Sequence, residues 1–331
     1  MSNKNGSQAY NPVFIGGTQR SGTSLLRALI DSNSEIYFPN AEMKFFVRFY
    51  HRLRNYEPLR EQKNLERFLS DYGGYRRNIE QTGLMNNTEF FKRLRSANES
   101  WRNIYHAIGT ELASQENKSR WGEKSPGNEY FTDHILNFYP KAKIICTIRD
   151  PRAVVASSRR RYGRGIVKPM IRWKMAVRKI LYDSQRLPVQ SFHIVFYEDL
   201  VLDLKSTMKR IFDFLETEPI QSFDKLLINS EKWKRGGKTS YEERDNANGN
   251  IVWSHSISAY RDELSYIQTK TIEVMTRKER NIIGRHRKEP REYNYSNIFR
   301  KCTKRLNENG VKYNPKISRV LNRLTDKPLA L

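Results

Sequence analysis

The stretch from Phe14 to Leu25, FIGGTQRSGTSL, constrains the chain more than any other, because in it an apolar strand passes through paired glycines straight into an amphipathic helix. Val13, Phe14 and Ile15 supply the strand, and Leu25, Leu26, Leu29 and Ile30 mark one side of a helix that begins just after Gly22. Glycines let the backbone curl tightly, so that successive N–H groups and the positive end of the helix converge on an anion. Gly17 to Gly22 has the GxxxxG spacing of a nucleotide-triphosphate loop, yet Thr23 stands where the lysine of that loop would reach the β- and γ-phosphates. Arg20 puts a cation inside the loop instead. The missing lysine disfavours a triphosphate and favours a nucleotide whose reactive group is carried on a single 5′-phosphate. The plain alternative is a glycine-rich turn that binds nothing.

A second segment adds the other end of such a ligand. Lys143 to Ile148 (KIICTI) is a short apolar, β-branched run of the kind found in buried parallel strands, and it delivers Arg149 at its C-terminal end. Asp150 suits a helix N-cap and Pro151 the first helical position. Ser157 follows Arg149 by about two helical turns and so faces the same ligand. An arginine fork and a hydroxyl converging on one point suit a terminal phosphate dianion.

These two segments resemble the sulfotransferases that use 3′-phosphoadenosine 5′-phosphosulfate (PAPS). The resemblance covers about residues 12 to 265. It implies that Gly17, Arg20, Ser21, Gly22, Thr23 and Ser24 cradle the 5′-phosphosulfate, with Arg20 beside the bridging oxygen, and that Arg149 and Ser157 hold the 3′-phosphate. Arginine in place of lysine in the loop looks like the protein-tyrosine sulfotransferase branch and its soluble bacterial relatives. Lys124, in Trp121-Gly122-Glu123-Lys124-Ser125-Pro126, matches a family lysine that lies before the middle strand and binds the transferring sulfo group; an exposed turn lysine is the other reading. The small-molecule branch has its base histidine two residues further on, where this chain has Pro126. The protein-tyrosine branch instead takes a glutamate from the loop after the second strand, and Glu42 in Phe38-Pro39-Asn40-Ala41-Glu42 is the match, displaced by one position. Glu42 as the first acid of the following helix is the other reading. Tyr197, which follows the strand-like run His193 to Phe196, matches a family tyrosine near the adenine; a strand-end aromatic in the core is the alternative. Lys234-Arg235-Gly236-Gly237-Lys238 resembles, weakly, a loop that closes over the 3′-phosphate; an ordinary flexible loop is the better reading.

The expected fold is therefore α/β: a three-layer α/β/α P-loop nucleotide-binding domain over residues 12–275 with a central parallel sheet. Residues 1–11 read as a disordered or extended N-terminus, and 276–331 as a basic, mainly helical C-terminal extension. Between Glu42 and Asn117 apolar and aromatic residues recur at helical spacing (Phe45, Phe46, Phe49, Tyr50, Leu53), with short loops at Asp71–Gly74 and near Thr82-Gly83. Insertions after the strands of such proteins overhang the carboxyl edge of the sheet, so this one is expected to shape an acceptor pocket.

Composition sets the outer limits. No run of about eighteen apolar residues and no charged-then-apolar leader is present, and the two cysteines make no disulfide framework, which points to a cytoplasmic protein without a transmembrane segment. The net charge of +24 exceeds what a cleft for an anionic nucleotide needs. From Arg277 to Lys327 sixteen basic residues face five acidic ones. An acidic peptide or anionic glycan as acceptor, a nucleic-acid or membrane surface, and a solvated basic helical face all fit this excess. Nucleic-acid binding is disfavoured, because no zinc-finger spacing, aromatic RNA-binding strand or basic heptad region occurs. No pair of histidines has metal-ligand spacing, and sulfuryl transfer needs no metal. The competing functions are a P-loop kinase or NTPase and a non-catalytic basic binding protein. Thr23 argues against the first. The sequence leaves the oligomeric state open.

Overall fold

Period-two alternation along the strands decides which helices cover which face of the sheet. The computed structural model describes residues 11–73, 89–90, 92, 94, 100–163, 165–219 and 255–288. Its strands are β1 (Val13–Gly17), β2 (Ile36–Tyr37), β3 (Arg120–Lys124), β4 (Lys143–Ile148) and β5 (Phe192–Phe196), all parallel, in the order β2-β3-β1-β4-β5. Phe14, Ile144, Cys146 and Ile148 point to one face, where they join Trp121 and a large aromatic core. Val13, Ile15, Ile145 and Val195 point to the other. Both faces are therefore covered, as the near-continuous apolar runs of β1 and β4 require.

The second face is covered by α1 (Thr23–Asp31) together with α7 (Tyr197–Leu202) and α8 (Leu204–Leu215), whose inward residues Leu26, Leu29, Leu200, Ile211 and Phe212 are buried. Against the first face lie α3 (Trp101–Gln115), α4 (Thr132–Phe138) and α6 (Val167–Arg186). The helix after β4, α5 (Pro151–Tyr162), starts as its sequence predicts, with Pro151 in the first turn and the Asp150 side chain accepting from the Arg152 N–H at 2.8 Å. It ends at Gly163 in the left-handed conformation, φ 61°.

The insertion after β2 is a π-helical turn (Phe45–Phe49), a 3₁₀ segment (Tyr50–Tyr56) and α2 (Gln62–Gly73). Phe45 and Phe46 are fully buried, and Phe45 stacks on Tyr105 of α3 at 3.9 Å between ring centroids, so these aromatics form core as their spacing predicts. Asp71 to Gly73, expected as a loop, instead make the last turn of α2, because Phe68, Leu69 and Tyr72 all bury on the same side. The loop near Thr82-Gly83 lies outside the described residues. Cys146 is buried and free. Three C-terminal helical segments follow: α9 (His255–Ser258), α10 (Tyr260–Glu263) and α11 (Tyr266–Lys288). The last of these runs unbroken through residue 275, with Thr276, Glu279 and Ile282 buried. No described helix is long and apolar enough to cross a membrane.

Candidate active site

The loop after β1 leaves the carboxyl edge of the sheet, the edge at which open α/β sheets bind ligands. Gly17 has φ 122° and Gly22 φ 95°, left-handed conformations that side chains resist. A Cβ on Gly22 would stand 2.3 Å from the Tyr197 ring, so this glycine admits the aromatic as well as the turn. Arg20 holds φ 74° without being glycine. Such backbone strain, where it persists, marks a position that the surroundings over-determine. The Gly17 N–H donates to Glu129 Oε2 at 2.9 Å, and the Ser21 hydroxyl donates to the Thr18 carbonyl at 2.6 Å and lies 2.7 Å from Thr147 Oγ1. Gly17 and Ser21, expected to present donors to a ligand, spend these groups on shaping the loop. Thr23 and Ser24 head α1, where the first N–H groups of a helix have no intrahelical partner.

Arg149, at the end of β4, reaches across to the same loop. Its NH1 group donates to the Arg20 carbonyl at 3.0 Å and its NH2 group to the Ser256 carbonyl at 2.5 Å. The guanidinium lies 4.1 Å from the centroid of the Tyr197 ring, whose hydroxyl is 2.7 Å from Ser256 Oγ. Arg149 is 7% exposed, and its Nε is buried without a partner among the described residues. A buried guanidinium donor left over in this way fits an anionic ligand that supplies the acceptor. Arg20 Nε donates to Ser157 Oγ at 2.9 Å, although the two residues lie 137 positions apart in the chain. The loop, Arg149, Ser157 and Tyr197 thus form one cluster. Lys234 to Lys238 lie outside the described residues.

A second cluster lies along the same edge. Strand register pairs Ile15 of β1 with Lys124, which puts Lys124 at the end of β3, a strand the sequence does not announce. Lys124 Nζ donates to Glu42 Oε1 at 3.1 Å, and Lys44 Nζ lies 2.8 Å from Glu42 Oε2. Burial alone would push the Glu42 carboxyl up, but the charges of Lys124 and Lys44 outweigh it and hold the group below its ordinary value. Burial lowers the Lys124 ammonium, with Glu42 opposing. Glu42 lies in the irregular segment ahead of the π-helical turn and heads no α-helix. Arg27 of α1 anchors that segment by donating to Asn40 Oδ1 at 2.8 Å.

A model of the sulfotransferase family matches residues 12–221, nearly the whole span that holds both clusters. The chain belongs to this family. A second sulfotransferase-domain model matches residues 173–282. A Caenorhabditis briggsae protein named as a candidate protein-tyrosine sulfotransferase is 26% identical over 215 residues, covering 62% of this chain and 65% of that protein. Protein-tyrosine sulfotransferase A of Caenorhabditis elegans is 24% identical over 216 residues, covering 62% of this chain and 49% of its own length. The chain thus spans about two thirds of the length of the first of these curated relatives and about half of the second. Among solved structures, the sulfotransferase domain from the Synechococcus PCC 7002 olefin synthase superposes with a TM-score of 0.52 at 22% identity, over 80% of this chain and 95% of that domain. That likeness supports the fold: a P-loop-type α/β sheet with flanking helices.

Several residues of the two clusters carry no sequence signal. Glu129 is fully buried beneath the loop, where Oε2 also accepts from the Gly127 N–H at 2.8 Å, and its carboxyl is raised by burial. Lys44, at φ 55°, donates its N–H to Ser125 Oγ at 3.1 Å, and Ser125 in turn donates to the buried Glu123 at 2.6 Å. Tyr105 closes this chain with a hydrogen bond to the other Glu123 oxygen. These groups are scattered over α3, β3 and the segments around residues 44 and 125–129, which leaves no local pattern to read. Among the described residues no three His, Cys, Asp or Glu side chains are grouped to hold a metal ion.

Proposed function

We propose that this sulfotransferase moves the sulfo group of PAPS to an acceptor hydroxyl, with a tyrosine in an acidic peptide as the acceptor its charge best fits. The observation that carries the donor assignment is the meeting of Arg20, Ser157 and Arg149, through the 2.9 Å and 3.0 Å hydrogen bonds, with a buried Arg149 Nε left unpartnered. A ligand charged at both ends would take these donors, Arg149 and Ser157 at its 3′-phosphate and Arg20 with the Thr23 and Ser24 amides at its 5′-phosphate. Tyr197, already stacked on Arg149 and packed over Gly22, would flank the adenine. The bound donor would supply an electrophilic sulfo group and leave as adenosine 3′,5′-bisphosphate.

Glu42 then acts as the base. Its depressed carboxyl is ionised at neutral pH and accepts the acceptor's hydroxyl proton as the new O–S bond forms and the bridging S–O bond breaks. Lys124 is tied to Glu42, so its transfer to the sulfo group would release one carboxylate oxygen and strengthen the base. Arg20 and Lys124 would meet the charge that develops on the departing and transferring oxygens. Tyrosine as acceptor draws on the curated relatives' names and on the +24 net charge, which favours an acidic peptide.

The test is transfer of labelled sulfo groups from PAPS to acidic tyrosine peptides, anionic glycans and small phenols. Transfer to the peptides is expected to exceed the others at least tenfold in kcat/KM. No transfer to any hydroxyl, with ATP hydrolysis instead, would overturn the proposal.

A further inference from the structure

A cavity of about 370 Å³ lies behind Arg149, between the ends of β4 and β5 and the C-terminal helices. It meets the loop cluster only at Arg149. Ile148, Phe196 and Trp173 on its wall belong with the aromatic core on the first face of the sheet, whereas Tyr197 and α1 belong to the opposite face. Of the donor-site residues named above, Arg149 alone borders it. The volume is in the range of small-molecule sites, at the small end.

Its lining combines charge with apolar surface. Five arginines face two carboxylates. The carboxylates are already engaged: Asp150 by Arg152, at 2.7 Å, and Glu198 by the Asp150 N–H, at 2.9 Å. Arg261 of α10 and Arg280 of α11 make no hydrogen bond or ion pair among the described residues. Two guanidinium groups with spare donors beside one hollow match a tetrahedral oxyanion better than a single point charge would, because each fork pairs two oxygens. Phe196, Ile257 and Ile283 supply an apolar wall on which the rest of a ligand can lie.

We infer that this cavity binds a sulfate or phosphate monoester with a small aromatic or apolar body, its head group held by Arg261 and Arg280. The site is additional to the donor and acceptor positions.

Calorimetry on the full chain with phenyl phosphate and phenyl sulfate as probes tests it, with benzyl alcohol as the uncharged control. Saturable binding of at least one ester and none of the alcohol is expected, and the tighter ester identifies the head group. The double variant Arg261→Ala/Arg280→Ala should weaken that ester about tenfold or more, as loss of charge-assisted hydrogen bonds predicts. Arg20→Ala should leave it within twofold. Ile283→Trp, which fills the apolar side, should also abolish binding, and it stands in if the double variant melts early. Absence of saturable ester binding to the unaltered chain would overturn the inference. So would binding that is lost in Arg20→Ala and kept in the double variant, since the probe would then occupy the donor loop.

Discussion

Around the loop from Gly17 to Ser24 the backbone does the positioning, whereas around Glu42 side chains hold side chains. On the proposed donor side two left-handed glycines, a helix N-terminus and the ends of β1 and β4 fix where an anion would sit, and Arg149 bonds to backbone carbonyls. On the acceptor side the Glu42 carboxylate hangs between Lys44 and Lys124, and Lys44 is fixed through Ser125 and Glu123 to Tyr105 in the aromatic core. Backbone cradles tolerate loss of one side chain with partial function. A chain of buried polar groups fails more sharply, because removing one member leaves the next unsatisfied.

The contrast can be broken at three places. Glu42→Gln should lower kcat by about 10²- to 10⁴-fold, the usual contribution of a positioned base, and leave the affinity for adenosine 3′,5′-bisphosphate within twofold. Unimpaired turnover would exclude Glu42 from the chemistry and place the base outside this network. Arg149→Ala should weaken the bisphosphate about ten- to a hundredfold in calorimetry, the value of lost charge-assisted hydrogen bonds, with a smaller effect on kcat. Equal loss in both parameters would mean that the two sides are not separable.

The smallest effect is expected from Lys44→Met. With the Lys44 charge gone, burial acts on the Glu42 carboxyl with only Lys124 opposing it, so its pKa rises. The acidic limb of the kcat/KM profile should move to higher pH, and Lys44→Arg should restore it. The sign for stability is the same: a carboxyl held low favours the native state above its unfolded pKa, and that contribution disappears as pH falls through the folded value. The variant should therefore unfold in acid at a higher pH than the unaltered chain. A profile that merely drops in height would reduce Lys44 to a packing role.

The donor side was legible in sequence because its physics is local. Glycines, strand, N-cap and helix lie next to one another in FIGGTQRSGTSL and KIICTIRDPRAVVAS, and each predicts its neighbour. β3 was not legible, since Arg-Trp-Gly-Glu-Lys has none of the β-branched residues that mark a strand and owes its buried state to its neighbours β1 and β2. Glu129 reaches Gly17 from 112 positions away, a contact no window of sequence contains. The turn expected at Asp71 to Gly73 became helix because Tyr72 buries with Phe68, so packing overrode the glycine signal. Lys44 went unread for the same reason: its role depends on Ser125 and Glu42 meeting it from two other segments.

The central claim is that the loop without its lysine, joined to Arg149 and Ser157, holds a nucleotide phosphorylated at both ends. Calorimetric titration of the full chain with adenosine 3′,5′-bisphosphate, adenosine 5′-monophosphate and ATP with Mg²⁺ tests it directly. The bisphosphate should bind without metal, at least tenfold more tightly than either of the others, and Arg149→Ala should erase its advantage over the monophosphate. Tight Mg²⁺-dependent binding of ATP with no response to the bisphosphate would contradict the claim.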